Sequence, residues 1–234
     1  RTPCRRMEKS HRLQKVTGEP SMTHLNINRL TTPIFNDGCS DNNWSRVGVS
    51  GLSYPKGSGK SAIFATGLTW GARHGKGGPV QVGGNSWWPN LLAGRLLPGL
   101  IPQDPSLPQN RIYRVRPDIP PGNTTADIRS EAKDGEGSAN DIYSQYHKDW
   151  EEWPWQDGAP YNDVNGNGIY EPATDIPGVK GADQTVFYVS HDFNPDVTQY
   201  RWKRDPFGIE IHATFWAYNR EGALGSMFFR KYVF

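Results

Sequence analysis

One stretch of the chain has the residue types and the spacing of a calcium-binding loop. It reads "DVNGNGIYEPATD" and runs from Asp163 to Asp175. Asp163, Asn165 and Asn167 stand at alternate positions, and Gly168 follows them to allow a sharp turn. Calcium takes about six to eight oxygen ligands, and short Asp and Asn side chains at alternate positions converge on one point. The spacing therefore predicts a Ca²⁺ site.

The second half of the loop completes a ligand set but departs from the EF-hand pattern. The twelfth position is Thr174, so the closing acid is Asp175, one residue later. Pro172 disfavours a helix after the loop. The predicted ligands are Asp163, Asn165, Asn167, the main-chain oxygen of Ile169, Glu171 (directly or through water) and Asp175. Two neutral amides predict the modest affinity that suits an extracellular site. The alternative is an Asx and glycine turn without metal.

A second stretch, "YPKGSGKS", ends like a nucleotide-binding P-loop. A P-loop needs a glycine where this chain has Tyr54, and Pro55 removes an amide that would bind phosphate. A P-loop also leads into a helix, whereas the residues after Ser61 have the composition of a strand. We therefore predict a turn between two antiparallel strands, with Lys56 and Lys60 in solvent and no nucleotide as ligand.

A cluster of aromatic and acidic residues, "DWEEWPW", raises two further possibilities. Two carboxylates at a suitable separation could hydrolyse a glycosidic bond, and tryptophan rings could stack on sugars. The residues concerned are the acids Asp149, Glu151 and Glu152 and the candidate stacking residues Trp150, Trp153 and Trp155. The alternatives are a solvated acidic helix end and tryptophans that belong to the core. We expect no enzymatic activity, because no nucleophile or zinc motif accompanies the cluster.

The chain has two cysteines, Cys4 and Cys39. In an oxidising compartment they could form one disulfide, and otherwise both would carry thiols. The sequence leaves these two possibilities open.

The second half of the chain resembles a known family. The segments "WPWQDGAPYNDVNGNGIYEPATDIPGVKGADQTVFYVSHD" and "FGIEIHATFWAYNREGALGSMFFRKYVF" are similar to parts of large secreted bacterial surface proteins, many of which carry a C-terminal sorting domain for type IX secretion. The resemblance covers about residues 150–234 and is looser upstream. It implies an exported, β-rich protein with a calcium-type loop, located outside the cell or on its surface. It implies no particular reaction.

The elements that must position these residues are mostly strands. Alternation of apolar and polar residues predicts strands over 183–192, 208–219 and 225–234, and 61–73 also has strand composition. Ile142, Tyr146 and Trp150 recur on one face of a predicted helix. The fold class that follows is mainly β, an antiparallel sandwich-like domain with one or two short helices and long loops rich in proline and glycine.

Charge and hydropathy exclude several kinds of partner. Lys and Arg total 26 against 24 Asp and Glu, a net charge of +2, so no strong field would collect nucleic acid. The sequence contains no run of about 18 apolar residues, so it predicts no membrane span. Basic residues crowd the start of the chain. We therefore predict a basic amino-terminal arm over 1–22 and a single β-rich domain over 23–234.

These observations favour a secreted or cell-surface structural protein that calcium stabilises. The strand in "MFFRKYVF" would expose an edge that pairs with another chain. We therefore expect self-association, or association with other surface proteins, through terminal strands or the arm, as in filaments. The alternative is an extracellular carbohydrate-binding module or a glycan-active hydrolase that uses residues 149–155, with a polysaccharide as partner.

Overall fold

The structure is a computed structural model that describes residues 20–42, 51–73, 75–84 and 89–234. The first strands are β1 Met22–Leu25, β2 Thr32–Phe35, β3 Cys39–Ser40, β4 Leu52–Ser53, β5 Ser61–Ile63, β6 Thr66–Gly67, β7 Thr69–Arg73 and β8 Val80–Gly84. The later strands are β9 Leu92–Ala93, β10 Leu96–Leu97, β11 Ile101–Pro102, β12 Tyr113–Val115, β13 Tyr161–Asn162, β14 Ile176–Pro177, β15 Gln184–His191, β16 Glu210–Ala217 and β17 Phe228–Val233. The α-helices in these ranges are α1 Arg129–Lys133, α2 Ala139–Glu151 and α3 Pro195–Thr198.

The central sheet is antiparallel and has the strand order β12-β15-β16-β17, with β9 also paired to β15. Its longest ladder joins β15 to β16, from Gln184 opposite Ala217 to His191 opposite Glu210. Every other residue of β16 from Ile211 to Ala217 is buried, as the alternation in the sequence predicts. These two strands and β17 form where the sequence places them.

A second sheet, with the order β1-β2-β3-β6, covers one face of the central sheet. Leu25 and Ile34 from this sheet pack with Val186, Tyr188 and Phe215 of the central sheet in one buried cluster. Two antiparallel sheets with a shared apolar core are the arrangement of a sandwich. The predicted mainly β class is therefore confirmed.

The opposite face of the central sheet is covered by aromatic residues from the loops. Trp153, Ala159 and Tyr170 pack there on Tyr113, Val115, Phe187 and Val189. Large rings bury much apolar area per residue, which compensates for the small number of aliphatic side chains in this chain. This aromatic layer holds the calcium-type loop against the sheet.

Helix α2 begins at a complete capping box, in which Ser138 and Asp141 bond each other's main-chain amides. Ile142, Tyr146 and Trp150 are all buried, so the predicted helical face is confirmed. The described residues contain three helices rather than one or two, because α1 and α3 add single short turns. No helix in the described ranges is long and apolar enough to cross a membrane.

Two expectations differ from the structure. The segment 61–73 is not one strand, because β5, β6 and β7 pair in three different sheets. Within this segment the large apolar side chains of Ile63 and Phe64 are 39% and 45% exposed, so they do not belong to the core. At the end of the predicted arm over 1–22, the main-chain oxygen of Pro20 accepts a hydrogen bond from Ile112 and β1 begins at Met22, and the rest of the arm stays a prediction. Residues 1–19 lie outside the described part of the chain.

Candidate calcium site

The calcium-type loop connects two short paired strands. Tyr161 of β13 lies opposite Pro177 of β14, and Asn162 lies opposite Ile176. The ladder brings the two ends of the loop 163–175 together, so the loop is the tip of a hairpin. The reason for this geometry is local, because turn-forming Asn and Gly residues dominate the tip.

The carboxylate of Asp163 organises the first half of the loop. Its Oδ1 accepts hydrogen bonds from the amides of Gly166 (2.7 Å) and Asn167 (3.2 Å), and its Oδ2 accepts one from Gly168 (2.7 Å). Gly166 and Gly168 have φ angles of 74° and 76°, which only glycine adopts without strain. The main chain therefore curls around one carboxylate.

The side chains of Asn165, Asn167 and Glu171 meet one another in the same turn. The Nδ2 atoms of Asn165 and Asn167 both donate to Glu171 Oε2, at 2.6 Å and 2.9 Å. Their Oδ1 atoms accept from the main-chain amides of Asn167 (3.1 Å) and Ile169 (2.8 Å), so turning an oxygen toward Glu171 would break one of these bonds. Side-chain amide and carboxylate oxygens are the donor types that Ca²⁺ prefers. The residue types therefore fit the ion, and the side chains would rotate to present their oxygen atoms together.

Asp175 closes the loop from its buried side. Its Oδ1 accepts from the amide of Val164 at 2.9 Å, and its Oδ2 accepts from the amide of Glu171 at 2.8 Å. Asp175 is 1% exposed. The amide of Ile169 donates to Asn167 Oδ1 at 2.8 Å, so the main chain of Ile169 belongs to the same turn. Across the described ranges no three His, Cys, Asp or Glu side chains are grouped to hold an ion, so the carboxylates of Asp163, Glu171 and Asp175 do not surround one point.

The predicted stacking residues Trp150 and Trp153 are core residues. They are 5% and 2% exposed, and their indole N–H groups donate to the main-chain oxygens of Pro172 (3.0 Å) and Pro160 (2.9 Å). Neither ring has a free face for a sugar, so that interpretation is corrected for both. Trp155 is half-buried and contacts the edge of Tyr161, with ring centroids 6.2 Å apart. The two buried indoles instead attach the loop region to α2.

The acids of the same cluster are not paired with one another. Asp149 is 1% exposed, and it accepts hydrogen bonds from Arg111 Nε and from the amide of Arg114, both at 2.9 Å. Burial raises the pKa of Asp149 to about 6, although Arg111 opposes the change. Glu152 binds the other side of Arg111 at 2.9 Å, and Glu151 is exposed. Asp149 therefore forms a buried ion pair with Arg111 and is not paired with a second carboxylate.

Sequence reasoning missed three buried arginines around β12. Arg111, Arg114 and Arg116 are 2%, 5% and 4% exposed. Arg114 binds Glu136 at 2.5 Å and lies over the ring of Tyr146, and Arg116 binds Glu131 at 2.8 Å. The only signal in the sequence is the run "RIYRVR", in which three arginines are interspersed with apolar residues in and beside a short strand. Such a run is more often a strand with a solvated face.

The "YPKGSGKS" segment is a hairpin connection, as predicted, because β4 and β5 pair in antiparallel fashion. Lys60 is exposed. Lys56 is not solvated, which corrects the prediction: its Nζ donates to the main-chain oxygen of Asn26 (2.6 Å) and to Ser130 Oγ (2.8 Å). Burial lowers the pKa of Lys56. Lys56, which the local sequence pattern predicts to be in solvent, thus joins the hairpin to α1.

The structure describes one of the two cysteines, Cys39. Cys39 is buried on β3, at 0% exposure. Cys4 lies outside the described residues, so the disulfide stays a prediction.

The fold and the site together define a mainly β, sandwich-like protein with a hairpin loop rich in Asp and Asn side chains. Comparisons of the chain with protein-family models, with curated proteins and with solved structures find no match.

Proposed function

We propose that this chain is a calcium-stabilised structural module of an exported, cell-surface protein. The observation that carries the proposal is the contact of Asn165 and Asn167 with Glu171, in a turn that the Asp163 carboxylate already holds through three main-chain amides. Such a preformed turn lowers the cost of ordering the ligands when an ion binds. The resemblance to secreted surface proteins supports the same location.

The role of the ion would be to fasten the hairpin tip to the sheet. When bound, Ca²⁺ supplies a cross-link between oxygen atoms from both halves of the loop. The cross-link would also restrain α2, because Tyr170 and Pro172 of the loop form hydrogen bonds with Trp150 on α2. Ordering the loop therefore stabilises the aromatic layer that covers the central sheet.

Isothermal titration of metal-free protein with CaCl₂ tests the proposal. We expect a single site with a Kd on the order of 10⁻⁴–10⁻³ M, in the range of extracellular modules. Asn165→Ala and Glu171→Gln should each weaken binding about tenfold or more. Asp104→Asn is the matched control, because Asp104 is a carboxylate in an exposed turn that binds Ser106 in a similar way. No heat from calcium, or equal binding by all variants, would refute the site.

We also propose that the module associates through β17. Among the described strands β17 pairs only with β16, so its other edge is open for strand addition. Arg230 is paired with Asp41, but the exposed Lys231 lies near the middle of β17, and two antiparallel copies would bring their Lys231 charges close together. Self-association should therefore strengthen as salt screens the repulsion. Sedimentation velocity at increasing protein and salt concentration checks this, and a strict monomer throughout would exclude it.

A further inference from the structure

The outer face of β16 and β17 carries aromatic side chains that belong to neither core. Trp216 lies opposite Phe229, and their rings stack at 5.5 Å with an interplanar angle of 16°. Tyr218 meets the edge of Phe229 at 5.8 Å. All three side chains are half-buried. We call Trp216, Tyr218 and Phe229 the aromatic face.

The aromatic face is separate from the structural aromatic residues. The inner residues of β16 and β17, including Phe215, Phe228 and Tyr232, pack on the sandwich core. The aromatic layer that covers the other part of the sheet is centred on Phe187 and Val189 of β15. Apolar side chains scattered singly on a surface need no explanation, whereas these three rings are contiguous and offer one apolar surface to a ligand.

A polar rim adjoins one end of the aromatic face. Asp183 Oδ2 accepts hydrogen bonds from the amide of Asn219 and from Arg220 Nη1, both at 2.7 Å. The amide of Asp183 donates to the main-chain oxygen of Ala217 at 3.0 Å, which places Asp183 next to Tyr218. A carboxylate, a guanidinium and an amide side chain offer both acceptors and donors. Neighbouring hydroxyl groups of a sugar require that combination.

The size of the aromatic face favours a sugar over a protein. Each ring is exposed by roughly a third at most, so the three together offer on the order of 200 Å². A stable protein partner usually covers about 800 Å² on each side. The rim contributes an acid and a base that already neutralise each other at 2.7 Å, which suits an uncharged ligand.

We propose that the aromatic face binds pyranose rings of a neutral polysaccharide. The C–H faces of the sugars stack on Trp216 and Tyr218, and their hydroxyl groups bond to Asp183 and Arg220 at the rim. This site lies on β16 and β17, away from the Trp150, Trp153 and Trp155 cluster that the sequence suggests. It also goes beyond the structural role of the calcium loop.

Native gel electrophoresis in the presence of hydroxyethylcellulose, laminarin or mannan tests the proposal. At least one polysaccharide should retard the protein, and titration with its oligosaccharide then gives a Kd. Tyr218→Ala should weaken this binding about tenfold. Tyr200→Ala is the matched control, because Tyr200 is 67% exposed elsewhere on the surface. Trp216→Ala could fail to fold, so Trp216→Phe is the variant to use at this position. It keeps an aromatic ring and should retain weak binding.

Three results would overturn the proposal. The first is the absence of retardation by all three polysaccharides, and the second is equal binding by Tyr218→Ala and the unchanged protein. The third is a concentration-dependent dimer that Tyr218→Ala abolishes, which would assign the face to a second copy of the chain. We expect the polysaccharide to bind equally well in EGTA at temperatures where the protein stays folded. That result would show that the aromatic face binds sugar independently of the calcium loop.

Discussion

Tyr170 donates a hydrogen bond from its hydroxyl group to the main-chain oxygen of Trp150, over 2.7 Å. The bond joins the second half of the calcium-type loop to the last turn of α2. The indole of Trp150 returns a bond to Pro172 at 3.0 Å, so the two segments are held by reciprocal contacts. The state of the loop and the packing of the helix are therefore coupled.

Tyr170→Phe tests this coupling. The substitution removes the hydroxyl donor and leaves the buried oxygen of Trp150 without that partner, so we expect a loss of about 1–2 kcal/mol in the free energy of unfolding. Urea unfolding measures it. Tyr200→Phe, at an exposed position, should change stability by less than about 0.5 kcal/mol. Equal effects of the two substitutions would show that the bond contributes nothing specific.

Calcium should raise the stability of the whole module. An ion that binds only the folded state stabilises it by about 2.7 kcal/mol when its concentration is a hundred times the Kd. Thermal unfolding in about 10 mM CaCl₂ and in EGTA should therefore differ by several degrees. Magnesium should have a much smaller effect, because it favours a rigid octahedral shell and keeps its water. The same melting temperature in CaCl₂ and EGTA would argue against a structural ion.

The two lysines of the "YPKGSGKS" hairpin should respond differently to truncation. Lys56→Ala removes two hydrogen bonds to Asn26 and Ser130, so we expect a loss of about 1–3 kcal/mol. Lys60→Ala alters only an exposed side chain and should be nearly neutral. Chemical denaturation of both variants checks the difference. A neutral Lys56→Ala would restore the sequence-based expectation that both side chains are solvated.

Glu136 should make the protein sensitive to acid. Its burial by itself raises the pKa, but the charges of Arg114 and His24 outweigh burial and lower it from 4.5 to about 2. The folded state therefore binds fewer protons than the unfolded state between these values. The resulting stability is fully present above pH 4.5 and is lost as the pH falls to about 2. The free energy of unfolding should fall by roughly 3 kcal/mol over this pH range.

Glu136→Gln checks the acid effect. The variant should be less stable at neutral pH by about 3 kcal/mol, because Arg114 loses its buried partner. Its stability should also depend less steeply on pH in the acid range, as urea unfolding at several pH values would reveal. The exposed Glu221→Gln should keep the steep dependence of the unchanged protein. An unchanged slope in Glu136→Gln would assign the acid sensitivity to other carboxylates.

The sequence by itself determined the features that depend on near neighbours along the chain. The alternation in β16, the buried stripe of α2 and the turn around Gly166 and Gly168 all follow from side-chain periodicity or main-chain freedom within a few residues. The mainly β class and the hairpin nature of "YPKGSGKS" follow from the same local signals.

Only the tertiary structure decided which side chains are buried and with which partners. Arg111 meets Asp149 across 38 positions of sequence, and Lys56 meets Ser130 across 74. No local pattern distinguishes these charged residues from solvated ones, because the low-dielectric surroundings that pair them come from distant segments. The same reason explains why Trp150 and Trp153 are core residues, whereas Trp216 reaches the surface.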